Sequence, residues 1–251
     1  MTTGVIRRGK IPGKTLLGSV GVAALAVIVW QLVSGMTFVV PSPGDTVSAL
    51  LRDLGDRNYL LNLQYTFVAA FWAFVIGSAA GFLLGLGLGL FRWAQIVFEP
   101  IITALNGLPK IILYPVLLPV FGLSISSKIA MGVLFALFPV LVNVAIGSRN
   151  VPAVYRKLAR SVNASGPQRL WYVILPAIRR PAIAGLRLAT SLALVGVVLA
   201  EFFATKFGLG RVVLQSYSAG QYADMMATIL LLILVSFVLS VLLWWWERRM
   251  R

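Results

Sequence analysis

Met225–Trp246 reads MMATILLLILVSFVLSVLLWWW, 22 residues without one charged side chain. A helix needs about 20 apolar residues to cross the hydrocarbon core of a bilayer, where its backbone must satisfy its own hydrogen bonds. This stretch meets that length by itself. Its closing Trp244, Trp245 and Trp246 suit the aromatic belt at a membrane–water boundary. Working outward, five further apolar runs appear at Leu16–Val33, Leu63–Leu90, Pro100–Phe121, Ile129–Ile146 and Ala182–Phe203. The first is longer than the usual apolar core of a cleaved leader and reads as a span.

Composition agrees. Hydrophobic residues make up 59% of the 251, and charged residues 12%, whereas soluble domains are roughly 45–50% apolar. The chain is therefore predicted to be an all-α, polytopic membrane protein of about six transmembrane helices. Residues 16–246 form one transmembrane domain, between a basic N-terminus (1–15) and a basic tail (247–251).

Function classes fall away quickly. There is no Cys and no His, which removes a disulfide framework, thiolate or imidazole metal sites and His-based triads. The seven acidic residues are scattered, so no catalytic pair, metal site or cofactor site is expected. The stretch Gly9–Thr15 has three residues between its glycines, where a phosphate-binding loop needs four and a preceding strand. The net charge of +15 does not point to nucleic acid, because the cations lie between the apolar runs. With six spans and a cytoplasmic N-terminus, sixteen of the 22 Lys and Arg fall on the cytoplasmic side. That orientation obeys the positive-inside rule and puts both termini in the cytoplasm.

Between the runs lie readable local features. After Pro41-Ser42-Pro43, residues Thr46–Leu54 carry Val47, Leu50, Leu51 and Leu54 at helical spacing, with Asp45 as the expected cap of a short surface helix. Gly77, Gly81, Gly85 and Gly89 line one helix face, suited to close approach of another helix within the bundle or from a neighbouring subunit. Pro100, Pro109, Pro115 and Pro119 interrupt the third run, so that segment is expected against protein or a water-filled pathway. Asn106, Lys110 and Glu201 are the candidate pathway residues. The last two either line or gate the outer part of the path, pair with each other, or snorkel to the interface. Asn106 and Asn143 are also suited to hydrogen bonds between helices.

The longest polar stretch, about 148–181, holds seven cations. Pro152 suits the first turn of a helix reaching about Val162. Asn163 stands where a left-handed residue is wanted, and Ser165 or Gly166 can cap a second short helix with Pro167 in its first turn. Leu170, Trp171 and Val173 give that helix an apolar side, and Leu175-Pro176 is expected to end it. The product is a helix-turn-helix on the cytoplasmic face.

Lys157-Leu158-Ala159, Asn163-Ala164-Ser165 and Val173-Ile174-Leu175-Pro176 resemble the EAA loop of binding-protein-dependent ABC importer permeases. The family's spacing is kept: three residues separate Ala159 from Asn163, and nine separate Asn163 from Val173. The nitrate/sulfonate/taurine-type branch is further resembled by Pro41-Ser42-Pro43, Leu108-Pro109-Lys110, Tyr114-Pro115, Ser127-Lys128, Gly185-Leu186-Arg187 and Ala200-Glu201-Phe202. Lys157 replaces the family Glu, Leu158 its first Ala, and Asn163 its Gly.

The resemblance implies a type I ABC importer permease fold and a coupling loop carried by Arg156, Lys157, Leu158, Ala159, Asn163, Ala164, Ser165, Leu175 and Pro176. It implies two ABC ATPase subunits, a second permease copy, an extracytoplasmic substrate-binding protein and the lipid of a bacterial inner membrane as partners. It implies uptake of a small, anionic solute of the sulfonate, taurine or nitrate kind, with ATP hydrolysed on a separate subunit. A six-helix channel or secondary transporter not driven by ATP is the alternative, as is a membrane enzyme or scaffold.

Overall fold

The computed structural model describes the backbone of residues 13–203 and 205–249. Arg7, Arg8 and Lys10 of the basic N-terminus, and Met250 and Arg251 of the tail, lie outside the described residues. The described chain is helical throughout: α1 (Gly13–Ser34), α2 (Pro43–Asp53), α3 (Arg57–Leu90), α4 (Arg92–Gly107), a 3-10 turn (Lys110–Leu113), α5 (Tyr114–Phe121) and α6 (Ile125–Arg149). There follow α7 (Ala153–Ser161), α8 (Gly166–Arg169), a π-helical turn (Leu170–Ile174), α9 (Leu175–Glu201), α10 (Leu209–Ser218) and α11 (Tyr222–Arg249).

The helix starts explain themselves. Ser42, not Asp45, caps α2: its Oγ accepts from Asp45 N–H at 3.1 Å, and Pro43 occupies the first turn. Asp56 accepts from Asn58 N–H and starts α3 six residues before the expected Leu63. The added turns carry Asn58 and Asn62, polar residues suited to the water side of a span.

α3, α6 and α9 form the centre of the bundle, and small side chains let them close. Ala69, Ala73, Ala136, Ala189 and Ala193 are fully buried there, with Val140, Val144 and Val197. The glycine stripe of α3 lies on α6. A Cβ at Gly81 would stand 2.5 Å from the Leu137 carbonyl oxygen, and one at Gly77 2.8 Å from Ala136 Cβ. The stripe is thus an intramolecular helix contact. With lipid outside, packing of this kind is the principal attraction between helices. The outward residues are apolar as well: Phe71, Trp72, Leu83, Leu84, Phe237 and Val238 are exposed.

Among the described residues, four helical stretches are long and apolar enough to cross a bilayer: Arg57–Leu90, Ile125–Arg149, Gly166–Glu201 and the Tyr222–Trp245 part of α11. The pair of α4 and Lys110–Phe121, bent by 94°, is apolar and long enough only when taken together, the geometry of a broken span or a re-entrant loop. The break falls at Leu108-Pro109, both extended, because proline disfavours the α conformation in the residue before it. Pro100 is accommodated within α4, and Pro115 in the first turn of α5. The sixth expected span lies on α1, 22 residues long, whose part Val20–Ser34 is apolar. α2 and α11 meet through Ala49, Leu50 and Ala227 and an Arg52–Asp224 ion pair.

Candidate functional site

The expected site residues lie at three levels along α6. At its C-terminal end stands the polar loop. α7 runs as expected from Pro152 to Val162, and Asn163 adopts φ 50°. The Asn163 N–H donates to Arg160 O at 3.0 Å and the Ala164 N–H to Ala159 O at 2.9 Å. This is the paired closure of a Schellman C-cap, with asparagine in the usual glycine place. Ser165 then forms a capping box. Its Oγ accepts from Gln168 N–H, and its own N–H donates to Gln168 Oε1 at 2.8 Å.

The second helix does not end at Leu175-Pro176. It continues through the π turn into α9, so that Gly166–Glu201 is one apolar helical stretch of 36 residues. Pro176 has no N–H and would press on the Tyr172 carbonyl in an α-helix. The widened turn, where Leu175 N–H reaches Leu170 O, accommodates it.

α7 turns its apolar face away from the bundle. Val154, Tyr155, Leu158 and Val162 are all at least half exposed, while Ala159 is buried against the bundle. On a 100° wheel these residues form one stripe, with Arg156 and Arg160 on the opposite flank. Between α7 and the next helix lies an open cup of about 660 Å³ that includes Leu158, Ala159, Ala164, Tyr172 and Pro176. The structure thus brings four of the expected coupling residues together, with Lys157 exposed beside them. Val154, Tyr155, Val162 and Tyr172 were missed. Their outward orientation depends on where the bundle sits, and the helical period alone is silent about that.

Half-way along α6 stand Asn106 and Lys110. Lys110 Nζ donates to Asn106 O at 3.2 Å and Oδ1 at 3.3 Å, and lies 4.8 Å from the centre of the Phe138 ring. Phe138 is 13 residues into the 25-residue α6, about 20 Å along its axis. Lys110 therefore sits level with the middle of α6. No carboxylate lies within ion-pair distance of it among the described residues. Asn143 donates within its own helix, to Pro139 O, rather than across to another.

At the N-terminal end of α6, Glu201 is 1% exposed, which rules out snorkelling. Its partner is Lys128, at 3.5 Å, and not Lys110. The Glu201 carboxylate also accepts from Thr66 Oγ at 2.9 Å and from Gly210 N–H at 2.9 Å. Lys128 further donates to Phe207 O, Leu209 N–H donates to Thr66 Oγ1, and Gly208 N–H donates to Asn62 Oδ1. The network ties the 205–210 connector to α3 and α6. A side chain at Gly208 would collide with Glu201, and its φ of 130° suits glycine. Lys128 is the residue sequence reasoning left out of this site. Its signals were a cation in the first turn of an apolar helix and its place in the Ser127-Lys128 pair.

A family profile described as "Binding-protein-dependent transport system inner membrane component" matches residues 77–251. A "Probable ABC transporter permease protein" of Haemophilus influenzae is 30% identical over 230 residues, covering 89% of this chain and 92% of the relative. The taurine transport system permease protein TauC of Escherichia coli is 27% identical over 244 residues, covering 92% and 88%. A solved structure of the MetNI methionine ABC transporter in inward-facing conformations shares the fold: TM-score 0.63, 19% identity, 78% of this chain and 95% of that one. The chain belongs to the family of inner membrane components of binding-protein-dependent transport systems, as a multi-pass permease subunit of an ABC importer.

Proposed function

We propose that α7 and the turn after it are the coupling element of this permease, seated in a groove of the ATPase subunit on the cytoplasmic side. The observation that carries the reading is the exposed apolar stripe Val154, Tyr155, Leu158 and Val162 on a helix at the end of a membrane bundle. Apolar surface of that kind leaves water when a partner covers it, and that transfer favours docking. Arg156, Lys157, Leu158 and Ala159 present the helix. Asn163, Ala164 and Ser165 hold the turn. Leu175 and Pro176 carry the movement into α9. Lys157 takes the place of an acidic family residue, so the matching groove is expected to be acidic.

The same reading places both termini in the cytoplasm, two copies of the permease around one pathway, two ATPase subunits beneath, and a substrate-binding protein at the Glu201 end. ATP binding closes the ATPases, and the permease pair switches between inward- and outward-facing states. The proposed cargo is a small anionic solute. Two observations support this: TauC, whose name concerns taurine, is a relative matched over 88% of its length, and Lys110 stands level with the middle of α6 with no carboxylate within ion-pair distance among the described residues.

The test is Leu158→Asp in the chain co-expressed with its ATPase. Membrane insertion and melting temperature are expected to stay as in the parent, while ATPase co-purification and ATP-driven uptake are lost. Full retention of both would defeat the reading. Lys157→Glu is expected to weaken ATPase binding, and a charge swap with no effect would remove the acidic groove.

A further inference from the structure

Behind α7, on the flank opposite its apolar stripe, lies a second cavity of about 580 Å³. It opens between the α3–α4 junction and the α8–π segment. Its polar lining is Arg156, Arg160, Arg169 and Ser148, and no acidic residue contributes to it among the described residues. Arg156 donates to Ser148 O and Arg149 O at the end of α6. Arg160 and Arg169 have no carboxylate within ion-pair distance among the described residues. Ser148 is 3% exposed, and its Oγ has no hydrogen-bond partner. The rest of the wall is apolar, with Leu90, Phe91 and Trp171 the largest groups, the last two well exposed.

We propose that this cavity binds the headgroup of an anionic phospholipid, with its phosphodiester held by Arg160, Arg169 and the Ser148 hydroxyl and its acyl chains laid against Leu90, Phe91 and Trp171. Guanidinium forks match phosphate oxygens in pairs, and an unpartnered buried hydroxyl has a donor to offer a third oxygen. A basic pocket between helices at a membrane face is the sort that recognises acidic headgroups. The volume and the apolar wall distinguish the occupant from free phosphate, which would leave both unused. Trp171 suits the boundary between headgroup and hydrocarbon. The site rests on the proposed position of the α7 end at the membrane surface, and it does not require the ATPase.

The experiment uses the full chain purified without its ATPase, delipidated, and titrated with phosphatidylglycerol, phosphatidylcholine or inorganic phosphate. Native mass spectrometry and the lipid-induced rise in melting temperature are the readouts. Phosphatidylglycerol is expected to bind and stabilise, with phosphatidylcholine and phosphate inactive. Arg160→Gln with Arg169→Gln is expected to weaken binding about 30-fold at an unchanged melting temperature in plain detergent. Arg160→Lys with Arg169→Lys is expected to restore part of it. Equal binding of phosphatidylcholine, displacement of the lipid by inorganic phosphate, or undiminished binding by the Gln pair would overturn the proposal. Leu158→Asp is expected to keep lipid binding, so failure of the lipid site and failure of ATPase docking are read separately.

Discussion

Lys128 Nζ lies 3.5 Å from Glu201 Oε1, with the two side chains 4% and 0% exposed. They stand 73 positions apart in the sequence, and their meeting closes the end of the bundle opposite α7. The carboxylate is not merely paired: a hydroxyl and a backbone N–H also donate to it, and the ammonium has a second acceptor in Phe207 O. A buried ion pair satisfied on this scale is costly to break from one side.

Glu201→Gln is expected to destabilise the detergent-purified chain by about 3–5 kcal/mol, because Lys128 is left buried without its counter-charge. Lys128→Met combined with Glu201→Gln is expected to recover much of that loss. Thermal unfolding of the two single variants and the double measures the coupling. Simple additivity would show that the residues do not act as a pair.

Asn163 carries a different kind of cost. Its φ of 50° is tolerable for asparagine and easy for glycine. Asn163→Gly is expected to leave the coupling element intact. Asn163→Val is expected to cost about 1–2 kcal/mol locally and to raise hydrogen exchange at the Ala164 amide, whose bond to Ala159 O depends on that turn.

The α3–α6 contact distinguishes between glycines of one helix. Gly81→Ala places a methyl 2.5 Å from the Leu137 carbonyl oxygen and is expected to destabilise by about 1–3 kcal/mol. Gly87→Ala meets nothing within 4 Å and is expected to be neutral or to stabilise by up to about 1 kcal/mol. Melting temperatures of the two variants provide the comparison.

Lys110→Gln is expected to reduce uptake of the anionic solute into vesicles at least several-fold while leaving ATPase binding unchanged, since Lys110 is remote from α7. Lys110→Arg is expected to preserve part of the transport. Uptake undiminished in Lys110→Gln would remove Lys110 from the pathway.

The local features were the legible ones. Asn163 and Ser165 declared the turn because their side chains and backbone preferences act within a few residues. The glycine stripe announced a close helix contact, though only the assembled bundle names α6 as its partner. Glu201 was visible as an expensive charge in an apolar run, but its partner lies on another helix and no spacing encodes it. The 94° bend was signalled by Pro109, yet its size depends on packing around α4 and α5. The expected stop at Leu175-Pro176 failed for a specific reason. A proline ends an α-helix, but one π turn absorbs it.

That absorbed proline has a mechanical result. Residues Gly166–Glu201 make one strut of about 54 Å, anchored at one tip by the Ser165 capping box and at the other by the Lys128 clasp. A stiff beam of that length magnifies small rotations: tilting it by about 5° about the Ser165 tip sweeps Glu201 sideways by about 5 Å.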